Sequence, residues 1–369
     1  MAIPTDYFVD PSVDANGGDG TIGDPWTVVN DSGSVVQFAL DNITRDATDG
    51  DRINIKDAGT DTLHQAWNLT SYGASNIGAP LCFRGYTSAL TDGGIAAVSG
   101  SANFSIISNT AQDGMHFKDI DFHNTGNSVI FNIDNDNFFE NCRFQGSNSD
   151  GVFLDVGGGV ANCHFKDING TGLQTLSGSL IFNNFFENGT TASTIHIQGA
   201  GNDTETICYN VVACSGGTDG IHCQQGDKVF NNTVWSNGGS GVGIGPDAAS
   251  EHTMLLVNNH VEGFSADGGI GIEISADDNS WVYGFNSFFN NATDQSLAGD
   301  VYENLGNNTV LSASALVDPA NNDFRIKGVA DVKNAAYPTV FNGASLTTHF
   351  PDKGAVQQKQ PTLKGVVGG

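Results

Sequence analysis

The chain has 369 residues, with 14 basic against 41 acidic side chains and a formal charge of −27. Such a balance disfavours nucleic acid or an anionic membrane surface as a partner, and no apolar run of 18 residues exists to span a bilayer. The 48 glycines suit tight corners with positive φ rather than long helices.

In chain order, Tyr7–Asp10 reads as a short strand, and a Gly/Asp-rich loop runs from Pro11 to Pro25 before Trp26. Val36, Leu40 and Ile43 fall at helical spacing, which predicts one short helix over about 34–43. Ile53–Lys56 and Leu81–Tyr86 follow as strands.

A repeat then takes over. Asn184, Asn210, Asn232, Asn259 and Asn286 each precede a large apolar residue by two positions: Phe186, Val212, Val234, Val261 and Phe288. Cys142 and Cys163 hold the same place before Phe144 and Phe165, and Ile120 before Phe122. The copies recur every 21 to 27 residues. That period marks a solenoid, in which each coil buries its apolar face on the next. Stacked amides can bond along the axis, so these asparagines are expected to form an internal ladder. Strands of the form Gly-apolar-x-apolar, such as Gly220–Cys223 and Gly271–Ile274, run in phase. The pattern predicts an all-β, single-stranded parallel β-helix of about eleven coils, with a helix capping its start. The expected organisation is a leading segment and cap over 1–50, coils over 51–310, a C-terminal cap over 311–357 and a polar tail over 358–369.

The stretch from Tyr7 to Lys56 resembles the opening of right-handed parallel β-helix proteins of the pectate-lyase-like superfamily: strand, Gly/Asp loop with Trp26, helix, then Gly50-Asp51 leading into Ile53 and Ile55. The segment Asp318–Lys327 and residues 354–357 resemble the end of the same group. The resemblance implies a right-handed coil. It leaves activity open, because lyases, hydrolases, adhesins and phage spikes share the fold. Within that superfamily, pectate lyases use Ca²⁺ with an Arg or Lys base. The polygalacturonase motifs Asn-Thr-Asp, Asp-Asp and Gly-His-Gly do not occur here in order; Asp277-Asp278 is a lone doublet.

Outward positions of the Gly-apolar strands supply candidate glycan contacts: Gln174, His196, Gln198, His222 and Gln224. The alternation sets His196 over His222 and Gln198 over Gln224, without the third ligand a zinc site needs. Phe185 and Trp235 read as exposed aromatics, and Gly243 and Gly245 as a smooth strip for another backbone; all four are interface candidates. Asp155 with Glu273, and Glu187 with Glu262, lie too many coils apart to share one glycosidic bond. The loop carboxylates Asp150, Asp203, Asp219 and Asp247 remain for an enzymatic reading. No cofactor is expected apart from a candidate Ca²⁺ at Asp14, Asn16 and Asp19.

Lys118, Arg143, Lys166 and Lys228 read as too scattered to attract an anionic polymer, so no cleavage of polygalacturonate is expected. The function expected is a structural virion protein of a phage: a capsid decoration, fibre or tailspike-like part, made without a signal peptide. Its partners would be virion proteins or its own copies, as a homotrimer, and a cell-surface glycan. The alternatives are a polysaccharide lyase or glycoside hydrolase, and a surface adhesin. The six cysteines are expected to be mostly reduced and shielded, with Cys142 and Cys163 close enough across neighbouring coils for a disulfide.

Overall fold

The computed structural model describes residues 5–12, 17–27, 34–63, 66–69, 78–89, 92–100, 106–109, 113–124, 131–133, 135–187, 195–199, 204–224, 226–246, 254–274, 281–297 and 303–327. The chain divides into two compact units, Met1–Gly201 and Asn202–Gly369.

In each unit a coil visits three parallel sheets in turn. Phe138–Glu140 lies in the first sheet, Arg143–Gln145 in the second and Val152–Val156 in the third; the next coil repeats this with Gly159–Ala161, His164–Lys166 and Leu173–Ser177. Alternation does the rest. Phe139, Phe144, Val152 and Leu154 point inward and are buried, while Phe138, Glu140, Arg143 and Phe153 point out. The coil number differs slightly from the eleven expected. Among the described residues the first sheet carries seven strands in the first unit and five in the second.

The corner between the first and second sheets carries the repeat. Its leading residue is left-handed: Asp119, Asn141, Asn162 and Asn183 have φ of 54 to 58° in the first unit, and Tyr209, Asn231, Asn258, Phe285 and Asn307 have 56 to 62° in the second. Asn and Asp tolerate that region, and one of them leads the corner everywhere among these residues except at Tyr209 and Phe285. The following residue is the ladder residue, and it turns inward as expected. In the second unit the backbone and side-chain N–H groups of Asn210 both donate to Asn232 Oδ1, at 3.0 Å each. Asn232 repeats this onto Asn259 (3.0 and 3.1 Å), and Asn259 onto Asn286 (2.9 and 3.1 Å). Asn286 N donates to Asn308 Oδ1 at 3.0 Å, a further rung whose place two residues before Val310 was legible in the sequence. In the first unit Cys142 N meets Cys163 Sγ at 3.4 Å, and Cys163 N donates to Asn184 Oδ1 at 2.8 Å. All six cysteines are free thiols, and all but Cys82 are buried.

The helix spans Val35–Asn42, capped by Ser34, whose hydroxyl accepts from Gln37 N. Ser34 also donates to Asp61 Oδ2 (2.6 Å), and Asp61 Oδ1 accepts from Val35 N (2.9 Å). The helix is thus tied to the strand Thr60–Leu63 by a buried carboxyl group. No helix among the described residues is long and apolar enough to cross a membrane.

Candidate functional site

The outer face of the first sheet in the first unit gathers the most varied chemistry. Register places Cys82, His116, Phe138, Gly159 and Leu180 in one column across five strands, and Arg84, Lys118, Glu140, Ala161 and Phe182 in the next. Neighbours in a column stand about 4.8 Å apart. Gly159 and Ala161 leave a floor with little side chain. Phe138 and Leu180 rise on either side of Gly159 and remain 45% and 40% exposed. A cavity of about 570 Å³ results.

Polar groups collect at the end nearer Cys82. Lys118 Nζ contacts Glu140 Oε1 at 2.7 Å, and His116 Nε2 lies 3.7 Å from Glu140 Oε2. Arg84 Nε is 3.8 Å from Asp119 Oδ2, beyond hydrogen-bond reach, and has no hydrogen-bond partner. Arg52, the cross-strand neighbour of Cys82, pairs with Asp6 at 3.2 Å. The crowding of protein around His116 holds its imidazole below the usual range; Glu140 opposes this, and Lys118, Arg52 and Arg84 reinforce it. The ring is therefore neutral near pH 7 and can accept a proton.

The groove offers two carboxylates, Asp136 and Glu140, and Glu140 is already engaged by Lys118. Calcium takes six to eight oxygen ligands. This donor set does not fit the ion, and no step below passes through it. No cluster of three or more His, Cys, Asp or Glu side chains suited to a metal occurs among the described residues.

The expected glycan stripe is only partly assembled. Gln174 and Gln198 are cross-strand partners, with Phe153 next to Gln174. His196 lies in the strand Ile195–Gly199, but its side chain falls outside the described residues. His222 Nε2 pairs with Asp219 Oδ2 of its own strand at 3.2 Å, and Gln224 lies past the strand end, where its N–H donates to Asp227. Opposite His222 stands Gly245 rather than Gly243, because the register is shifted by two residues from the sequence alignment of these strands. Gly243 and Gly245 are themselves buried, and a Cβ on Gly243 would lie 2.5 Å from Val261 Cγ1, so the close approach is made by the chain itself.

Trp235 is not an open platform. It is half-buried, with its ring 5.9 Å from that of Phe324 in the hairpin Leu316–Asp318/Asp323–Ile326. Sequence alternation could show that Trp235 leaves the core, but not that a strand some ninety residues on returns to cover it. Phe185 does face outward, stacked on His164 at 5.0 Å. Asp150 and Asp219 accept from Thr171 N and Val242 N of the next coil, both at 2.6 Å, which gives them a structural task. Asp203, Asp247, Asp14 and Asn16 lie outside the described residues.

The basic residues are less scattered than their spacing suggested. Arg84 and Lys118 are adjacent in one column, and Arg143 and Lys166 share the outer face of the second sheet. A signal for the groove existed: Phe83-Arg84, Phe117-Lys118 and Phe139-Glu140 each set a charged residue after an inward Phe.

Residues 104–259 match the family model described as a right handed beta helix region. Among solved structures the chain is similar to a pectate lyase, at 14% identity, 97% coverage of both chains and a TM-score of 0.52. It is also similar to a PL6 alginate lyase in complex with a trisaccharide (14% identity; 89% of this chain and 68% of that one; TM-score 0.47). A third is a mannuronic acid specific polysaccharide family 6 lyase from human gut microbiota (14%; 84% and 83%; 0.38). No curated protein matches the chain. The chain is a right-handed parallel β-helix, and likeness at this identity establishes the fold alone.

Proposed function

We propose that the protein acts on an anionic, uronate-containing polysaccharide laid across the outer face of the first sheet, and that its reaction is β-elimination. The observation that carries this is the grouping of a neutral imidazole, His116, with the cations Arg84 and Lys118 beside the exposed ring of Phe138. Elimination from a uronate needs a base and cations that hold the carboxylate. A base removes the proton on the carbon that bears the carboxylate, and the electron pair left behind forms the double bond as the glycosidic oxygen leaves and takes up a proton. Charge grows on the carboxylate in the transition state, where fixed cations stabilise it most.

Lys118 is engaged by the Glu140 carboxylate at 2.7 Å, which assigns it to binding and leaves His116 as the base. His116 takes the proton, and Arg84 and Lys118 hold the carboxylate. Phe138, opposite His116 in the register, offers a flat face for the adjoining sugar. The solved lyases of this fold agree with a carbohydrate-acting β-helix.

A second reading is favoured by the Lys118–Glu140 pair, which already satisfies the lysine and suits recognition without cleavage. In that reading the protein is a glycan-binding virion part or adhesin, alone or as a trimer. One experiment separates them: incubation with polygalacturonate and with alginate, read by ultraviolet absorbance of unsaturated ends and by binding. Turnover that falls about 10²- to 10⁴-fold in His116→Ala while binding persists supports the lyase. Binding without turnover on either polymer supports the recognition role. Absence of both in the wild-type protein overturns the groove as a polysaccharide site.

A further inference from the structure

A second polar patch, in which basic side chains balance acidic ones, lies on the outer face of the second sheet in the same unit. The strands Ile120–Asn124, Arg143–Gln145, His164–Lys166 and Phe185–Glu187 pair in register. Their outward residues form two columns. One runs Asp121, Arg143, His164, Phe185; the other runs His123, Gln145, Lys166, Glu187. In a chain of charge −27, four strands therefore bring together one arginine, one lysine and two histidines against two carboxylates.

The cluster is built rather than loosely assembled. Asp121 accepts from Arg143 Nη1 at 3.1 Å and from Gln145 Nε2 at 3.1 Å, which fixes both side chains. Burial raises the Asp121 carboxyl despite Arg143. Glu187 is buried, bonds His164 Nε2 at 2.9 Å and lies 3.9 Å from Lys166 Nζ. The His164 ring is also stacked on Phe185, and its buried Nδ1 has no hydrogen-bond partner. His123 is exposed, and its ring lies over Gly146: a Cβ there would come within 2.7 Å of His123 Nε2. Glycine at 146, left-handed at φ 80°, thus makes the room that the imidazole occupies.

The neutral amide of Gln145 is the centre of this arrangement. His123 stands one strand before it, Lys166 one strand after it, and Arg143 two residues along its own strand. Of the acidic partners, Asp121 bonds both Arg143 and the Gln145 amide, and Glu187 lies beyond Lys166. An oxyanion over Gln145 would meet three hydrogen-bond-donating side chains, Arg143, Lys166 and His123, with the Asp121 carboxylate next to Arg143.

We infer that this face is a second binding site, for an anionic group carried on a saccharide: a sulfate ester or a carboxylate. It is separate from the groove of the first sheet and does not depend on what that groove does. Only two corner residues divide Glu140 of the groove from Arg143 of the patch, so one polyanionic chain could contact both faces.

The test measures binding of dextran sulfate, polygalacturonate and uncharged dextran of matched length to the full chain. Wild type is compared with the double variant His123→Ala/Lys166→Gln and, in parallel, with Lys118→Gln in the groove. The site predicts that the double variant binds the preferred charged polymer about tenfold more weakly, with added salt weakening the wild-type complex. Loss for dextran sulfate alone identifies a sulfate ester; loss for polygalacturonate identifies a carboxylate. Unchanged binding of both charged polymers by the double variant overturns the inference, even if Lys118→Gln binds poorly and the groove reading stands. Equal binding of uncharged dextran overturns it as well. A measurement on the unmodified protein guards against misfolding of the variant: bound dextran sulfate or polygalacturonate should shield Lys166 from acylation while exposed Lys228 stays reactive. Equal labelling of Lys166 with and without polymer counts against the site.

Discussion

The two units use the same three-sheet coil but hold it together differently. The first is stacked through aromatic rings. Trp67, Phe83, Phe117 and Phe139 follow one another at 4.8 to 5.2 Å, and Phe122, Phe144, Phe165 and Phe186 at 4.4 to 5.6 Å. Its ladder corner carries thiols at two coils. The second has Val212, Val234 and Val261 where those rings would be, and an unbroken amide ladder from Asn210 to Asn308. Smaller core residues bury less apolar surface, and the doubled hydrogen bonds of each asparagine supply part of the difference. Outer faces differ too. Both polar constellations described above lie on the first unit, whereas the second sheet of the second unit is covered by the C-terminal hairpin through Phe324 on Trp235 and Ser314 on Glu262.

The largest effect expected from this contrast is on the ring stacks. Phe144→Ala, which empties a fully buried place between Phe122 and Phe165, should cost about 3–5 kcal/mol in urea unfolding. Val234→Ala, at the same place in a coil of the second unit, should cost clearly less. Equal losses would mean the rings add nothing beyond ordinary packing. Next, Asn232→Leu should cost about 3 kcal/mol, because it strands the N–H groups of Asn210 and the carbonyls of Ile207 and Phe230. Cys163→Ala in the first unit should cost about 1 kcal/mol. An Asn232 variant as mild as the Cys163 variant would remove the ladder from the account of stability.

Asp61 adds a pH test. Burial raises its carboxyl to about 6, although Ser34 and Val35 donate to it. The folded state thus favours the protonated form. Its stabilising contribution is full below the unfolded value, near pH 4, and is lost as pH rises through about 6. Stability of the wild-type protein should fall by about 2–3 kcal/mol over that window from this group alone. Asp61→Asn should flatten the fall, and a profile unchanged in this variant would show that the helix tie does not titrate. The smallest effect concerns the hairpin: Trp235→Ala should cost about 1 kcal/mol and speed proteolysis within residues 311–327. Unaltered proteolysis would mean that Ser314 and Lys327 hold the hairpin without the aromatic pair.

The parts of the fold that repeat were legible, and the parts that depend on unequal loops were not. The inward asparagines, the corners that precede them and the helix over 34–43 all follow from local pattern and turn chemistry. The groove did not, because the function of outward residues depends on which coils stack. Cys82 and His116 are 34 residues apart in sequence yet adjacent in register, across a coil longer than those that follow it. The strip of Gly243 and Gly245 was misread as an exposed surface for a related reason: an alternating run of glycines has no apolar phase to fix its register or to show what packs against it. Trp235 was misread as exposed because alternation reports which way a side chain leaves its own strand and says nothing of a distant segment that returns over it.

The corner between the first and second sheets has a consequence for how such a protein can change. It holds two residues at each of Asn141-Cys142, Asn162-Cys163 and Asn183-Asn184, 21 residues apart, with its amide row bonded at Asn183 to Asn162 and at Asn141 to Asp119. The other two connections vary in length: from the second sheet to the third, four residues separate Cys214 from Asp219 and six Lys166 from Leu173, and from the third to the first, two separate Val156 from Gly159 and four Cys223 from Lys228. One corner is a fixed hinge pin, and the other two are editable. Insertions there would reshape the binding faces while leaving the spine alone. A block cut from one such corner to the next is a unit that duplication can add and deletion can remove, which makes the number of coils an easily altered trait of the lineage.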